Sequence, residues 1–368
     1  MPKTLLLLPG DGIGPEVTAV SRRLVEELVR KGLTDVDVRE LPFGGSAFDE
    51  FGTSLPCDTL SAALDANAVL LGAVGGPQWK SLPYEKRPEA GLLALRDRMQ
   101  VFANLRPAYC FAPLVEASTL KPDIVSGLDI MFVRELVGGV YFGNPRGLEV
   151  LPDGQRRGFN THVYTTFEIE RVARVAFEQA RQRKGRVCSV EKSNVMEAGL
   201  LWREVVSQIH HDEYEDVEIT HMLADNCAMQ LVRSPNQFDV ILTDNLFGDI
   251  LSDVAAMLTG SIGMLPSAAV GAADAPGLYE PIHGSAPDIA GRGTANPCAS
   301  VLSLAMAFRH SLHAPEIASL IESAVAAVLG KGVRTADIGG RASTSDVADA
   351  LIAAVQALGE SCDGSAKP

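Results

Sequence analysis

Basic residues are in short supply. Against 46 Asp and Glu the chain has 32 Lys and Arg, which leaves a formal net charge of −14 and a pI near 5.0. Such a surface lacks the positive footprint that nucleic acid or an anionic membrane requires, so neither is expected as a partner. Long apolar runs are missing too. TLLLL at 4–8 and DVILT at 239–243 are far too short to span a bilayer, and the opening MPKT has no signal-peptide h-region. A cytoplasmic location is the expectation. The six cysteines, at positions 57, 110, 188, 227, 298 and 362, include no C-x-x-C pair, so common zinc and disulfide frameworks are excluded and reduced, mostly buried thiols are expected.

What is present is enough for a large core. A chain of 368 residues with 46% hydrophobic content reads as two domains or one elaborate α/β unit. Short apolar or β-branched runs (4–10, 34–42, 68–75, 129–137, 147–152, 186–193, 218–225 and 238–245) alternate with helix-period segments such as 15–32 and 167–185. That alternation predicts an α/β protein with a largely parallel sheet. The stretch 136–166, rich in glycine, aromatics and β-branched residues, predicts a strand-and-turn arm, either a local hairpin or a clasp to a second subunit. The small, polar tail after Leu358 predicts fraying.

The motif PGDGIGPEV (9–17) follows the first predicted strand but fails as a dinucleotide fingerprint, because its third glycine comes one residue early and Asp11 would repel a pyrophosphate. A strand-to-helix turn using glycine's positive φ explains it equally well. Acidic chemistry is more pointed. Asp249 and Asp253 in NLFGDILSDVAAML lie four apart on a predicted helix, and Asp225 ends a predicted strand; such carboxylates suit a hard cation, Mg²⁺ or Mn²⁺. Arg96, Arg106 and Arg134 supply guanidinium groups that clamp carboxylates. Tyr141 and Lys192 are candidate proton-transfer groups. In GLYEPIHGSAPDIAGRGTANP the glycines and small residues offer backbone amides for phosphates, Asp288 an acceptor for ribose hydroxyls, and His283 a partner for adenine.

Taken as an ordered set, GDGIGPEV, LRxxxxxFANLRP, FVREL with GGVYFG, EKSNVMEAGLLWREV, TDNLFGDILSD and EPIHGSAPDIAGRGTANP resemble the β-decarboxylating dehydrogenases of the isocitrate/isopropylmalate family from about residue 4 to 355. The resemblance implies that family's two-domain α/β fold, which is not a Rossmann fold, with a mixed sheet through both domains and a β arm at a dimer interface. Residues 1–102 and 260–368 would form a noncontiguous cofactor domain, and 103–259 the dimerisation and substrate domain. It implies that Arg96, Arg106 and Arg134 bind substrate carboxylates, that Asp225, Asp249 and Asp253 bind the metal, with Asp225 also near substrate, that Tyr141 supplies a proton and that Lys192 acts as base. The loop residues His283, Gly284, Ser285, Ala286, Asp288 and Asn296 would hold adenosine, with Glu89 near the nicotinamide. NAD is implied rather than NADP, since Asp288 would repel a 2′-phosphate.

The family's homodimer would share its sites, with Lys192 and Asp225 coming from the second copy. Among substrates, Leu92 and Leu93 just before Arg96 favour 3-isopropylmalate, on the leucine-biosynthetic route, because the extra carboxylate of an isocitrate-type substrate would lose hydration against them without compensation. The departures from the family pattern are small, Glu191 where Asp is usual and Met196 where Leu is. Enzymes of D-malate, tartrate or homoisocitrate are the nearest alternatives. A Mg²⁺-dependent phosphotransferase would need a G-x-x-x-x-G-K-[ST] loop, which is absent. A binding protein without turnover would not need Tyr141 and Lys192.

Overall fold

In the computed structural model, residues 2–273 and 275–363 are described. The chain forms two compact units, one of residues 1–101, 110–122 and 256–368, the other of residues 102–109 and 123–255. The strands in chain order are β1 Thr4–Gly10, β2 Asp37–Glu40, β3 Ala68–Ala73, β4 Ala103–Tyr109, β5 Asp129–Glu135, β6 Gly147–Val150, β7 Arg156–Phe159, β8 Arg186–Glu191, β9 Glu218–Leu223, β10 Val240–Thr243, β11 Pro266–Val270 and β12 Gly277–Pro281.

In the first unit the strand order is β2-β1-β3-β12-β11. Only β11, paired with β12, runs antiparallel. A Rossmann sheet places the first strand beside the second and the fourth; here β1 lies between β2 and β3, so the glycine turn after it belongs to another fold. Leu5, Leu6, Leu7 and Leu8 are at most 1% exposed. Such a continuous apolar run is what a strand covered on both faces requires. The helix Cys298–His310 is buried from Cys298 to Phe308, as expected of a helix apolar all round. Residues 110–122, assigned from sequence to the second domain, belong to the first unit. The reason is packing: Leu114 is fully buried and its turn lies against the helix Pro315–Gly330.

The second unit orders its strands β4-β5-β10-β8-β9. β4 pairs antiparallel with β5 and the others run parallel. The segment 136–166 contains an antiparallel hairpin of β6 and β7. Two expectations are corrected. β9 stops at Leu223, and Asp225 sits in the first turn of the helix Ala224–Arg233 rather than at a strand end. The tail expected to fray after Leu358 continues as helix to Asp363; residues 364–368 lie outside the described part. No described helix is long and apolar enough to cross a membrane. Five of the cysteines are free thiols, and Cys57 is exposed.

Candidate active site

Three strands of the second unit set out its polar groups in register. Asn104 on β4 and Thr243 on β10 flank Arg134 on β5. Side chains two apart on a strand share a face, so Arg106 follows Asn104 onto the same side. Over that face passes the helix Asn245–Leu258. It comes close because residue 248 is glycine: a Cβ there would stand 2.6 Å from Arg134 Cγ.

The aspartates therefore acquire basic neighbours that linear spacing did not reveal. Arg134, only 3% exposed, donates from Nη1 to Asp249 Oδ1. Arg106 Nη1 lies 3.4 Å from Asp249 Oδ1 and 3.8 Å from Asp253 Oδ1. Tyr141 donates its phenol to Asp249 Oδ2 at 3.1 Å. Burial, then the Asp249 charge, pushes the Tyr141 phenol above its ordinary value, against the pull of Arg134, so it carries its proton at neutral pH. Asp253 is also pushed up: burial leads, Arg106 opposes it, and the Asp249 charge adds to it.

Several members of this cluster carry no signal in the sequence. Asn245 Oδ1 accepts from Arg134 Nη2 at 2.7 Å and its backbone carbonyl from Arg134 Nε at 2.9 Å. Its Nδ2 donates to the carbonyls of Leu136 and Gly138, each at 3.0 Å. One buried amide thus aims the guanidinium and fixes the segment leading to Tyr141. Asn104 and Ser252 hold Arg106 at 2.6 and 2.7 Å.

Lys192, just past β8, donates to Asp225 Oδ1 at 2.7 Å, and that bond, the largest influence on Asp225, lowers its carboxyl. Gly199 makes room here, since a Cβ on it would stand 2.8 Å from the Lys192 carbonyl carbon. Among the described residues no three His, Cys, Asp or Glu side chains are grouped so as to hold a metal. Asp249 and Asp253 nevertheless fit a hard cation as part of a set. They are acceptor-only oxygens on one helix face, and a cation would relieve the repulsion that raises Asp253.

The first unit holds the remaining predicted groups. On the helix Pro88–Arg98, Leu92 and Leu93 are half-buried and stand one turn before Arg96. Arg96 Nη2 reaches Glu280 Oε1 at 2.5 Å, while its buried Nε has no partner. Glu89 is exposed, with its carboxylate over Gly75. In the loop, His283 is 8% exposed, and burial lowers its pKa, so the ring is neutral. The 3.0 Å contact between Nδ1 and the Gly284 carbonyl assigns the proton to Nδ1. Nε2 is then a buried acceptor with no partner, which fits the amino group of an adenine. Asp288 and Gly284 are exposed, Ser285 is buried, and Ala286 has a φ of +39°, a strained value for a non-glycine. Asn296 accepts from Cys298 N–H at 3.0 Å and donates to Asp337 Oδ2 at 2.9 Å.

One unit thus carries a cluster of carboxylates and arginines, and the other a glycine-rich loop. The isocitrate/isopropylmalate dehydrogenase family model matches residues 4–351, and the chain belongs to that family. It is 63% identical over 352 residues to a 3-isopropylmalate dehydrogenase of Caulobacter vibrioides, covering 96% of this chain and 99% of the relative. To the 3-isopropylmalate dehydrogenase of Rhodospirillum rubrum it is 59% identical, covering 97% and 98%. Among solved structures, an isocitrate dehydrogenase from Methylococcus capsulatus superposes with a TM-score of 0.86 at 32% identity, covering 96% of this chain and 99% of that one. A beta-decarboxylating dehydrogenase from Thermococcus kodakarensis, apo form, gives 0.80 at 34% identity, covering 100% and 99%.

Proposed function

We propose that the chain oxidises and decarboxylates (2R,3S)-3-isopropylmalate to 4-methyl-2-oxopentanoate and CO₂ with NAD⁺, a step of leucine biosynthesis. The observation that carries this reading is the joining of Arg106, Arg134, Tyr141 and Asp249 through one helix face. When bound, NAD⁺ takes the hydride from C2 and Mg²⁺ or Mn²⁺ draws electron density from the C2 oxygen. Asp249 and Asp253 hold the cation, with Asp225 of a second copy. Arg96, Arg106 and Arg134 bind the two carboxylates, and their charge holds the dianion in orientation. Lys192, as the neutral amine, takes the hydroxyl proton and becomes the ammonium as the C2–H bond breaks. The C3–carboxylate bond then breaks, its electron pair moves toward the C2 oxygen, and Tyr141 returns a proton to C3.

Leu92 and Leu93, half-buried beside Arg96, receive the isopropyl group. Isocitrate would press a third carboxylate on them, which burial without a partner disfavours. Asp288 and His283 bind adenosine, Glu89 serves the nicotinamide end, and the Asp288 charge selects NAD⁺ over NADP⁺. The active form is a homodimer. The exposed apolar residues Leu148, Val150, Met229, Ile250 and Met257 supply contact surface for a second copy. An exposed free Cys57 suits a reducing cytoplasm.

Initial rates of NADH formation with 3-isopropylmalate, D-malate and isocitrate test the reading. The expected order puts 3-isopropylmalate first, with NADP⁺ a poor substitute for NAD⁺. A higher kcat/KM for D-malate or isocitrate would contradict it.

A further inference from the structure

The motif GDGIGPE is left without a role by the chemistry above, since none of its side chains serves the hydride, metal or proton steps. Its contacts are specific. The carboxylate of Glu16, on the first turn of the helix Gly14–Arg30, accepts from two backbone amides of the loop: Oε1 from Gly291 N–H and Oε2 from Gly293 N–H, the latter at 3.1 Å. Ile13 N–H donates to the Ser285 carbonyl at 2.8 Å. Gly12 approaches so closely that a Cβ on it would stand 2.0 Å from that carbonyl oxygen. Ile13 and Val17 pack with Ala295 and with the half-buried Ala286, Ile289 and Ala290. From the other side Thr344 N–H donates to the Gly293 carbonyl at 2.8 Å and its Oγ1 to the Ala295 carbonyl at 2.7 Å.

The loop needs such bracing. Ala286 has a φ of +39°, which a residue with a Cβ keeps only where its surroundings hold it; Gly291 and Gly293, at +75° and +63°, adopt such values freely and have as many others open to them unless the backbone is tied. Amides turned into a loop between such residues would otherwise be solvated and mobile. Because both oxygens of Glu16 are used, a glutamine, with one acceptor oxygen, satisfies only half of the arrangement.

We infer that Glu16 is a positioning residue for nucleotide binding: it fixes the backbone of residues 285–293 in the shape that receives adenosine, without touching the nucleotide. The glycines of the opening motif serve the same end, by letting the first turn lie against the loop. The inference rests on the reading of residues 283–296 as the nucleotide loop.

Residue-resolved amide hydrogen exchange and calorimetric titration with NAD⁺, on the full-length enzyme with Mg²⁺, test it. In the parent chain Gly291 and Gly293 are expected to be protected, and NAD⁺ to add protection across 283–296. In Glu16→Gln and Glu16→Ala those two amides lose protection while Val20 and Leu24 of the helix keep theirs. The NAD⁺ Kd rises about tenfold or more, as loss of charge-assisted hydrogen bonds to a preorganised loop implies. The KM for 3-isopropylmalate changes by less than about twofold, since no ground-state contact to it is removed. Glu26→Gln, on an exposed ion pair of the same helix, leaves all of these as they were. If NAD⁺ does not protect 283–296 in the parent chain, the nucleotide-loop reading fails. If it does, but the Glu16 variants bind NAD⁺ normally, the inference fails alone. Free exchange of Gly291 and Gly293 in the parent, or a parallel loss of every kinetic parameter and of helix protection in both variants, also overturns it.

Discussion

Single residues carry most of the chemistry, and two of them give sharp expectations. Tyr141 holds its proton because burial and the Asp249 charge oppose ionisation. Tyr141→Phe removes a general acid, so kcat should fall roughly 10²- to 10⁴-fold with little change in substrate KM, as steady-state kinetics would measure. Glu135 is fully buried and accepts from Val137 and Gly138 N–H, yet burial raises it to about 7 from an ordinary 4.5. The folded chain therefore binds this proton more tightly than the unfolded one. Its contribution is fully present below pH 4.5 and is lost as pH rises through about 7. That difference corresponds to something on the order of 3 kcal/mol. Urea unfolding across this range should show stability falling with pH, and Glu135→Gln should flatten the slope. Arg106, Arg134, Tyr141, Asp249 and Asp253 were legible as members of sequence motifs, and the fold brings them together; Arg96 pairs with Glu280 and Asp225 with Lys192, outside that cluster. Asn245 and Asn104 were not legible: Asn245 meets Arg134 across 111 positions, and only strand register brings Asn104 beside it.

At the level of elements, long apolar strands such as β1, β3 and β8 were readable because burial on both faces demands continuous apolar sequence. β4, β11 and β12 were not, since ANLRPAY, PSAAV and GLYEP contain proline, glycine and small residues, and tertiary pairing overrides their weak propensity. The same effect moved Asp225 from strand to helix: ADNCAMQL has both a helix period and an acidic first turn. The helix Asn245–Leu258 was recognised as a carboxylate carrier, but not the reason for its glycine. Gly248→Ala puts a methyl 2.6 Å from Arg134 Cγ, on the stem rather than the free end of that side chain. Overpacking of this kind costs about 1–3 kcal/mol. The variant should lose thermal stability and, with Arg134 displaced, show a raised KM for 3-isopropylmalate; an unchanged KM would separate the helix contact from substrate binding.

For the whole molecule, a noncontiguous first unit was expected only through the family likeness, and even that placed residues 110–122 in the other unit, since no composition shift marks them. The proposed sharing of sites between two copies predicts complementation. Lys192→Ala and Asp249→Asn chains, each inactive alone, should regain part of the activity when co-refolded, because one site of a mixed dimer then carries both native groups. Failure to recover activity in a mixture shown by mass to contain mixed dimers would place both groups in one chain's site.

The central claim is that this carboxylate and arginine cluster performs a metal-assisted oxidation coupled to loss of CO₂. Parallel measurement of NADH and CO₂ from 3-isopropylmalate, before and after treatment with EDTA and again after Mn²⁺ is restored, tests it directly. The account predicts equal amounts of the two products, near-complete loss with the chelator, and recovery with the ion. Turnover undiminished by EDTA, or NADH formed without CO₂, would contradict it.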